Sequence, residues 1–398
     1  MPEGFVYPNE AEVQWSLLIV LYPFITGLVA GAFIVSSLYH VFGVKSLRPV
    51  ARFSLLTALA FVLVAPLPLT MHLGRPERAF EIFLTPNFRS AMAGFGYIWL
   101  SYTLLLVLEV WLVFRRDIVL YAQMNGGLKG ALYRLLTLGS SDISAEAMRV
   151  DEGAIRILSL IGIPMAVVLH GYVGFIFGGV KANPWWSTPL MPVIFLLSAI
   201  VSGIALLTLL YILVSKLRGE APDLECLEAL GGWLLGFLVV DVALEGLEVL
   251  SMAYEAEESW GAIYRLLTQK LAGSYFGIQL LLGSLLPFLV LVGVKALRLS
   301  AGARRGLTTL AAALVLVGIF AMRWNVVIGG QLLSKSLEGF LDYVPPLMGR
   351  EGVLAALAIM AMPFLIFAAI VAFIPPWRHP EEQEILLERA RQPLYRYR

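Results

Sequence analysis

Nine long apolar runs dominate this chain of 398 residues, at about 14–42, 53–73, 91–114, 154–179, 188–215, 228–254, 272–297, 306–331 and 352–375. A bilayer core of about 30 Å takes roughly 20 apolar residues per helix, and each run supplies them. Helices in soluble cores rarely reach this length without charge. Only 14% of the residues are charged, where a soluble domain carries about 25%. The expected fold is all-α: a polytopic membrane protein of about nine transmembrane helices.

Charge and cysteine content narrow the function classes. A net charge of +1 and a pI of 7.8 give no case for a nucleic-acid partner. Cys226 is the single cysteine, which excludes an intrachain disulfide and a cysteine-ligated iron–sulfur cluster, since a cluster needs about four thiolates. The opening residues lack the basic stretch of a cleavable signal peptide, so the first helix is expected to stay in the membrane.

Lys and Arg in short loops mark the cytoplasmic side of a membrane protein. In a nine-span arrangement nineteen basic residues fall on one side, eight on the other, and Arg156 and Arg323 lie within spans. The first side holds Lys45, Arg48, Arg52, Arg115, Arg116, Arg149, Lys216 and Arg218 among others, and the opening segment has Glu3, Glu10 and Glu12 but no cation. The protein is therefore expected in a cytoplasmic (inner) membrane, N-terminus outside and C-terminus in the cytoplasm. A missed or extra span would flip one terminus, and residues 118–137, broken by Gly126, Gly127 and Gly130, are where that would occur. We read them as a cytoplasmic loop with surface helices.

The runs divide into an outer segment 1–13, a four-helix bundle 14–180, a second four-helix bundle 181–332, an outer loop with an accessory C-terminal helix 333–375, and a charged tail 376–398. Polar residues gather toward the outer ends of the helices. Asp241, Glu245 and Glu248 follow i, i+4, i+7 and so share one face of helix 6. Carboxylates at that depth are costly in lipid, so they must point inward, with Arg323 of helix 8 as the natural partner. The stripe reads either as a proton path or as a structural cluster fixing helices 6 and 8.

His170 and Tyr172, late in helix 4, pair a proton carrier with a hydroxyl donor. That pairing suits a quinone headgroup, which needs donors at two carbonyls and a proton route; it equally suits a buried histidine satisfied by a neighbouring helix. Tyr22 and His72 fall at similar depth. His72 and His170 together could ligate one haem iron, but four histidines in all do not make a two-haem cytochrome. Trp185-Trp186, beside Pro184, reads as an aromatic belt at the interface.

The run Thr70-Met71-His72-Leu73-Gly74-Arg75-Pro76-Glu77-Arg78 resembles the segment after the second helix of the NrfD/polysulfide reductase membrane-subunit family. Leu84-Thr85-Pro86-Asn87-Phe88-Arg89-Ser90, the helix 1 glycines Gly27 and Gly31, Asn183-Pro184-Trp185-Trp186, and Met322-Arg323-Trp324-Asn325 through Gln331 extend the likeness over about residues 14–375. The last run is similar to longer members, which include membrane subunits of sulfite-reductase-associated complexes, of some hydrogenases and of alternative complex III.

The resemblance implies two four-helix bundles without haem or iron–sulfur cluster in this protein. It also implies a menaquinone or ubiquinone site near the outer face of the first bundle. That site lies under a ferredoxin-like iron–sulfur subunit, with a further catalytic subunit of molybdopterin, hydrogenase or cytochrome c type. Tyr172 falls where the family places a quinone-contacting tyrosine, His72 in the outer-loop signature, and Tyr22 where some members carry histidine. The expected function is thus a quinone-binding subunit of a respiratory oxidoreductase, incomplete as an enzyme alone. The competing expectations are a proton-translocating subunit using Asp241, Glu245, Glu248 and Arg323, and a plain membrane anchor.

Overall fold

A computed structural model describes residues 3–10, 12–254 and 258–377. Among these, nine helices are long and apolar enough to cross a membrane, as the hydropathy pattern requires. They are α1 (Leu17–His40), α2 (Arg48–Val64, resuming as Leu67–His72), α3 (Ala91–Met124), α4 (Ala145–Gly178) and α5 (Met191–Leu217). There follow α6 (Leu224–Tyr254), α7 (Gly273–Ala296), α8 (Ala301–Leu332) and α9 (Val353–Phe373). The protein is all-α and multi-pass in the membrane.

Helix starts follow local chemistry. Ser16, Ser90, Ser144 and Ser300 cap α1, α3, α4 and α8, each accepting a hydrogen bond from a first-turn N–H that the helix itself leaves unsatisfied. Pro66 closes the main part of α2, and the helix resumes one residue later with Pro68 in its first turn, where a missing N–H costs nothing.

α1 is the axis of the molecule: 94% of its spanning core is buried, against 22% for α9. It packs on α2, α4, α5 and α8, while α3 closes against α2 and α4. α5 packs on α6 and α8, α7 packs on α8, and α9 lies on α2. Lipid tails are as apolar as leucine, so close backbone approach and dispersion, rather than hydrophobic exclusion, hold such helices together. Gly31 of α1 and Gly203 of α5 supply that approach. A Cβ on Gly31 would stand 2.7 Å from the Gly203 Cα, closer than any carbon contact allows.

Several helix ends depart from the hydropathy reading. α3 runs on to Met124 and α4 begins at Ala145, so 115–153 is helix for most of its length rather than loop. The reason is ion pairing that hydropathy cannot weigh. Arg115 donates to Asp151 at 2.7 Å and Asp117 pairs with Arg52 of α2, which satisfies both charged ends where they pack. Within 118–137 only Asn125–Gly126 interrupts the helix, and Gly127–Leu136 forms a surface helix, as expected. The first half of α7, Gly273–Leu285, has wide π turns that end just before Pro287.

On the N-terminal side, strand β1 (Glu3–Gly4) pairs antiparallel with β2 (Gly339–Phe340) of the loop between α8 and α9. Gln331 at the end of α8 accepts from the Trp15 N–H at 2.7 Å, and Tyr343 accepts from the Leu17 N–H at 2.9 Å. The start of α1 is thereby tied to the end of α8 and to the middle of that loop.

Candidate functional site

Toward the N-terminal side, α1, α3 and α4 bring Tyr22 and Tyr172 together. Tyr22 is 2% exposed and stands edge-on to Phe95 of α3 at 4.8 Å. Its hydroxyl has no hydrogen-bond partner among the described residues, and Tyr172 lies within electrostatic range of it. Gly94 of α3 makes the arrangement possible, because a Cβ there would collide with the Tyr172 hydroxyl. A buried hydroxyl without a partner forfeits roughly 1–3 kcal/mol, so Tyr22 is a donor held in reserve.

His170, one half-turn before Tyr172, is fully buried against Gly27 of α1 and stacks on Phe195 of α5. Its Nε2 sits 3.1 Å from Nη2 of Arg323. A guanidinium only donates, so in the tautomer that bonds Arg323, Nε2 accepts and the ring proton sits on Nδ1. That Nδ1 has no partner among the described residues. The arginine therefore aims a second unused donor.

Arg323 corrects the expected pairing. Its guanidinium is fully buried and Nη2 donates to Ser198 Oγ at 2.7 Å and Phe195 O at 3.2 Å, both on α5. The group also lies 4.1 Å over the Phe195 ring. Asp241 and Glu245 feel its charge, but among the described residues no salt bridge joins them. Spacing gave Arg323 the right depth; the direction in which it leaves α8 turns it toward α4 and α5.

The helix 6 acids take different surroundings. Glu245 Oε2 accepts from Gln279 Nε2 of α7 at 2.9 Å, Gln279 Oε1 from Asn325 Nδ2 of α8 at 2.7 Å, and Asn325 Oδ1 from Ser274 Oγ at 2.6 Å. A small cavity of about 50 Å³ adjoins this series, walled by Glu245, Glu248, Tyr275 and Trp185. Asp241, one turn earlier, is 1% exposed with Oδ1 unpartnered among the described residues.

His72 is not brought to His170. Its Nδ1 lies 2.9 Å from Glu351 Oε2, just before α9. Burial alone would raise the Glu351 carboxyl, but hydrogen bonds from Ser16 and His72, with the His72 and Arg350 charges, outweigh it and hold the group below the ordinary glutamate range. His72 thus fastens the N-terminal side of α2 to the start of α9. Among the described residues no group of three His, Cys, Asp or Glu is placed to hold a metal ion.

Trp185 and Trp186 are not an interfacial belt. Both are buried and donate from Nε1 to the Asn325 and Val326 carbonyls of α8, at 3.0 and 2.6 Å. Asn183 donates to Gly330 O at 2.8 Å, so Asn183–Trp186 pins the end of α8 beside the cavity. Glu109 of α3 escaped the sequence reading. It is fully buried, accepts from Ser159 Oγ at 2.5 Å, and leaves Oε2 unpartnered among the described residues. The signal was present, since Glu109 is the one charged residue in the run 91–114.

Residues 6–334 match the family model described as polysulphide reductase, NrfD. Over 387 residues the protein is 30% identical to the C subunit of selenate reductase from Mesobacillus selenatarsenatis, an alignment covering 93% of this sequence and 87% of that one. It is 22% identical to the Hdr-like menaquinol oxidoreductase integral membrane subunit of Archaeoglobus fulgidus, over 92% of this sequence and 86% of the relative. The C chain of polysulfide reductase from Wolinella succinogenes is 23% identical, over 80% of this sequence and 95% of its own length. The likeness read from the His72–Pro76 signature and from Met322–Gln331 is borne out, and the chain belongs to the NrfD polysulphide reductase family.

Proposed function

We propose that this protein is the quinone-handling membrane subunit of a reductase complex. It exchanges electrons between the membrane quinone pool and an iron–sulfur partner docked on the N-terminal side. The observation that carries the reading is a pair of buried donors without a partner among the described residues: the Tyr22 hydroxyl and the His170 Nδ1, on facing helices α1 and α4. A quinone brings two carbonyl acceptors and exchanges two electrons and two protons. Tyr22 and Tyr172 donate hydrogen bonds to one carbonyl, and His170 donates from Nδ1 to the other while Arg323 fixes its ring. The relatives support this in kind, since one is named a menaquinol oxidoreductase subunit and others are the C subunits of reductases.

The first four helices (14–180) form the quinone unit in this reading. Orientation follows the basic residues, with the N-terminus outside, the C-terminus in the cytoplasm, and the ferredoxin-like and catalytic partners on the outer face. His72 contributes by holding α2 rather than by touching the headgroup. The test is quinol oxidation by the purified complex carrying Tyr22→Phe or Tyr172→Phe. Turnover falls about tenfold, the worth of one hydrogen bond made in the site, with the complex intact. Unchanged turnover in both variants sinks the reading.

A second reading rests on Asp241, whose buried Oδ1, unpartnered among the described residues, lies one turn from Glu245. In it the second unit (181–332) carries protons through Asp241, Glu245 and Glu248, with Arg323 setting their charge. Proton uptake by an Asp241→Asn variant in vesicles, unchanged from the parent, would exclude it.

A further inference from the structure

At the end of the molecule opposite to Tyr22, α1–α5 surround a cleft of about 1040 Å³. Six arginines line it: Arg48, Arg52, Arg116, Arg149, Arg156 and Arg218. Its carboxylates are Glu152 and Glu220, so the lining keeps an excess of four positive charges. Arg218 pairs with Glu220 at 2.7 Å and Arg52 with Asp117. Among the described residues Arg48, Arg149 and Arg156 form no ion pair.

The position of Arg156 is the telling one. It lies eleven residues into α4, about 16 Å along the axis at 1.5 Å per residue, on the same stripe as Arg149. A cation at the edge of hydrocarbon persists where an anion meets it. Beyond the arginines the same stripes turn apolar and stay exposed. On α3, Arg116 is followed at intervals of four by Leu112, Leu108 and Leu104, the last two 47% and 62% exposed; on α4, Arg156 is followed by Leu160, 59% exposed. A free anion uses the arginines and ignores the leucines. A molecule with a phosphate at one end and long acyl tails uses both.

We propose that this cleft binds an anionic phospholipid of the adjoining leaflet. Its phosphate lies among Arg48, Arg149 and Arg156, and its acyl tails lie along Leu104, Leu108 and Leu160. Basic pockets between transmembrane helices are the physical form such recognition takes. The site is separate from the proposed quinone position and stands whether or not that reading holds.

The experiment uses the full-length protein in neutral detergent, with thermal unfolding and native mass spectrometry as readouts. Phosphatidylglycerol raises the unfolding temperature and is retained in the mass spectrum, whereas phosphatidylcholine and inorganic phosphate at matched phosphate do neither. Arg149→Gln/Arg156→Gln binds phosphatidylglycerol at least about tenfold more weakly, given the contribution of each basic residue at a membrane surface. Arg149→Lys/Arg156→Lys keeps most of the affinity, and Lys181→Gln, at the opposite end, keeps all of it. If the double glutamine variant does not fold, Arg149→Gln alone carries the comparison. Equal protection by inorganic phosphate reduces the cleft to an anion site and overturns the proposal. So does lipid binding that appears only after residues 378–398 are removed, which would make the glutamates of the protein's own tail, Glu381, Glu382, Glu384 and Glu388, the occupant.

Discussion

The polar groups of α1 and α4 and those joining α6, α7 and α8 lie toward the same end of the protein, yet they are finished differently. In the first region the Tyr22 hydroxyl and the His170 Nδ1 are buried with nothing to bond among the described residues. In the second, Glu245, Gln279, Asn325 and Ser274 satisfy one another in sequence. A satisfied network fixes helices; a set of unused donors waits for an acceptor from outside. Among the described residues Asp241 of α6 shares the unfinished character of the first region. Arg323 stands between the two, bonded toward His170 and attracted toward the acids.

Removing the residue that separates the regions is expected to have the largest effect. Arg323→Met strips Ser198 and the Phe195 carbonyl of their donor, frees the His170 ring, and leaves Asp241 and Glu245 without a cation. A loss of about 3–5 kcal/mol follows from breaking a buried charged network, read as a lower unfolding temperature in detergent. Near-parental stability would mean that the two regions are independent.

Gln279→Leu tests the satisfied side alone. It orphans Glu245 and Asn325 together and is expected to destabilise by about 1–3 kcal/mol, with the unfolding temperature lowered and Tyr22 unaffected. Tyr22→Phe is the converse. Because its hydroxyl makes no bond within the described residues, its removal leaves stability unchanged or raises it by up to about 1–3 kcal/mol, while quinol turnover drops. If Tyr22→Phe destabilised and Gln279→Leu did not, the contrast between the regions would be reversed.

The smallest effect concerns the clasp between α2 and α9. The folded Glu351 carboxyl is held below its ordinary value, so its contribution is present above pH 4.5, the ordinary glutamate value, and is lost as the pH falls through the lowered folded value. Glu351→Gln should therefore cost about 0.5 kcal/mol at pH 7, and the difference from the parent should vanish in acid. A gap that persists after the Glu351 carboxyl has titrated would assign the clasp to packing instead.

The sequence carried the fold well because hydropathy reports depth, and depth alone decides a span. It carried the site less well because depth says nothing of azimuth. Asp241, Glu245 and Arg323 were placed at one level, and that much held; whether Arg323 faces α6 or α5 depends on which way the residue leaves its helix. His72 and His170 looked equivalent for the same reason, though one lies at the edge of the bundle and the other at its axis. Trp185 and Trp186 misled through composition, since tryptophans near a helix start are usually interfacial; here two α8 carbonyls capture them. Glu109 was legible and passed over, a lone carboxylate in an apolar run being easy to count as tolerated noise.

The small ribbon of β1 with β2 has a consequence for how the polypeptide threads the bilayer. Strands hydrogen-bonded to each other occupy one aqueous compartment, so Gly4 and Gly339 must be separated by an even number of crossings. Helices α1 to α8 make eight. An additional or missing passage anywhere between them, including the glycine-broken stretch 118–137, would put the two strands on opposite faces of the membrane. Four residues of backbone pairing thus act as a parity check on more than three hundred residues of topology. A cysteine pair at Glu3 and Phe340, which are register partners, would report that check by forming a disulfide in the intact membrane.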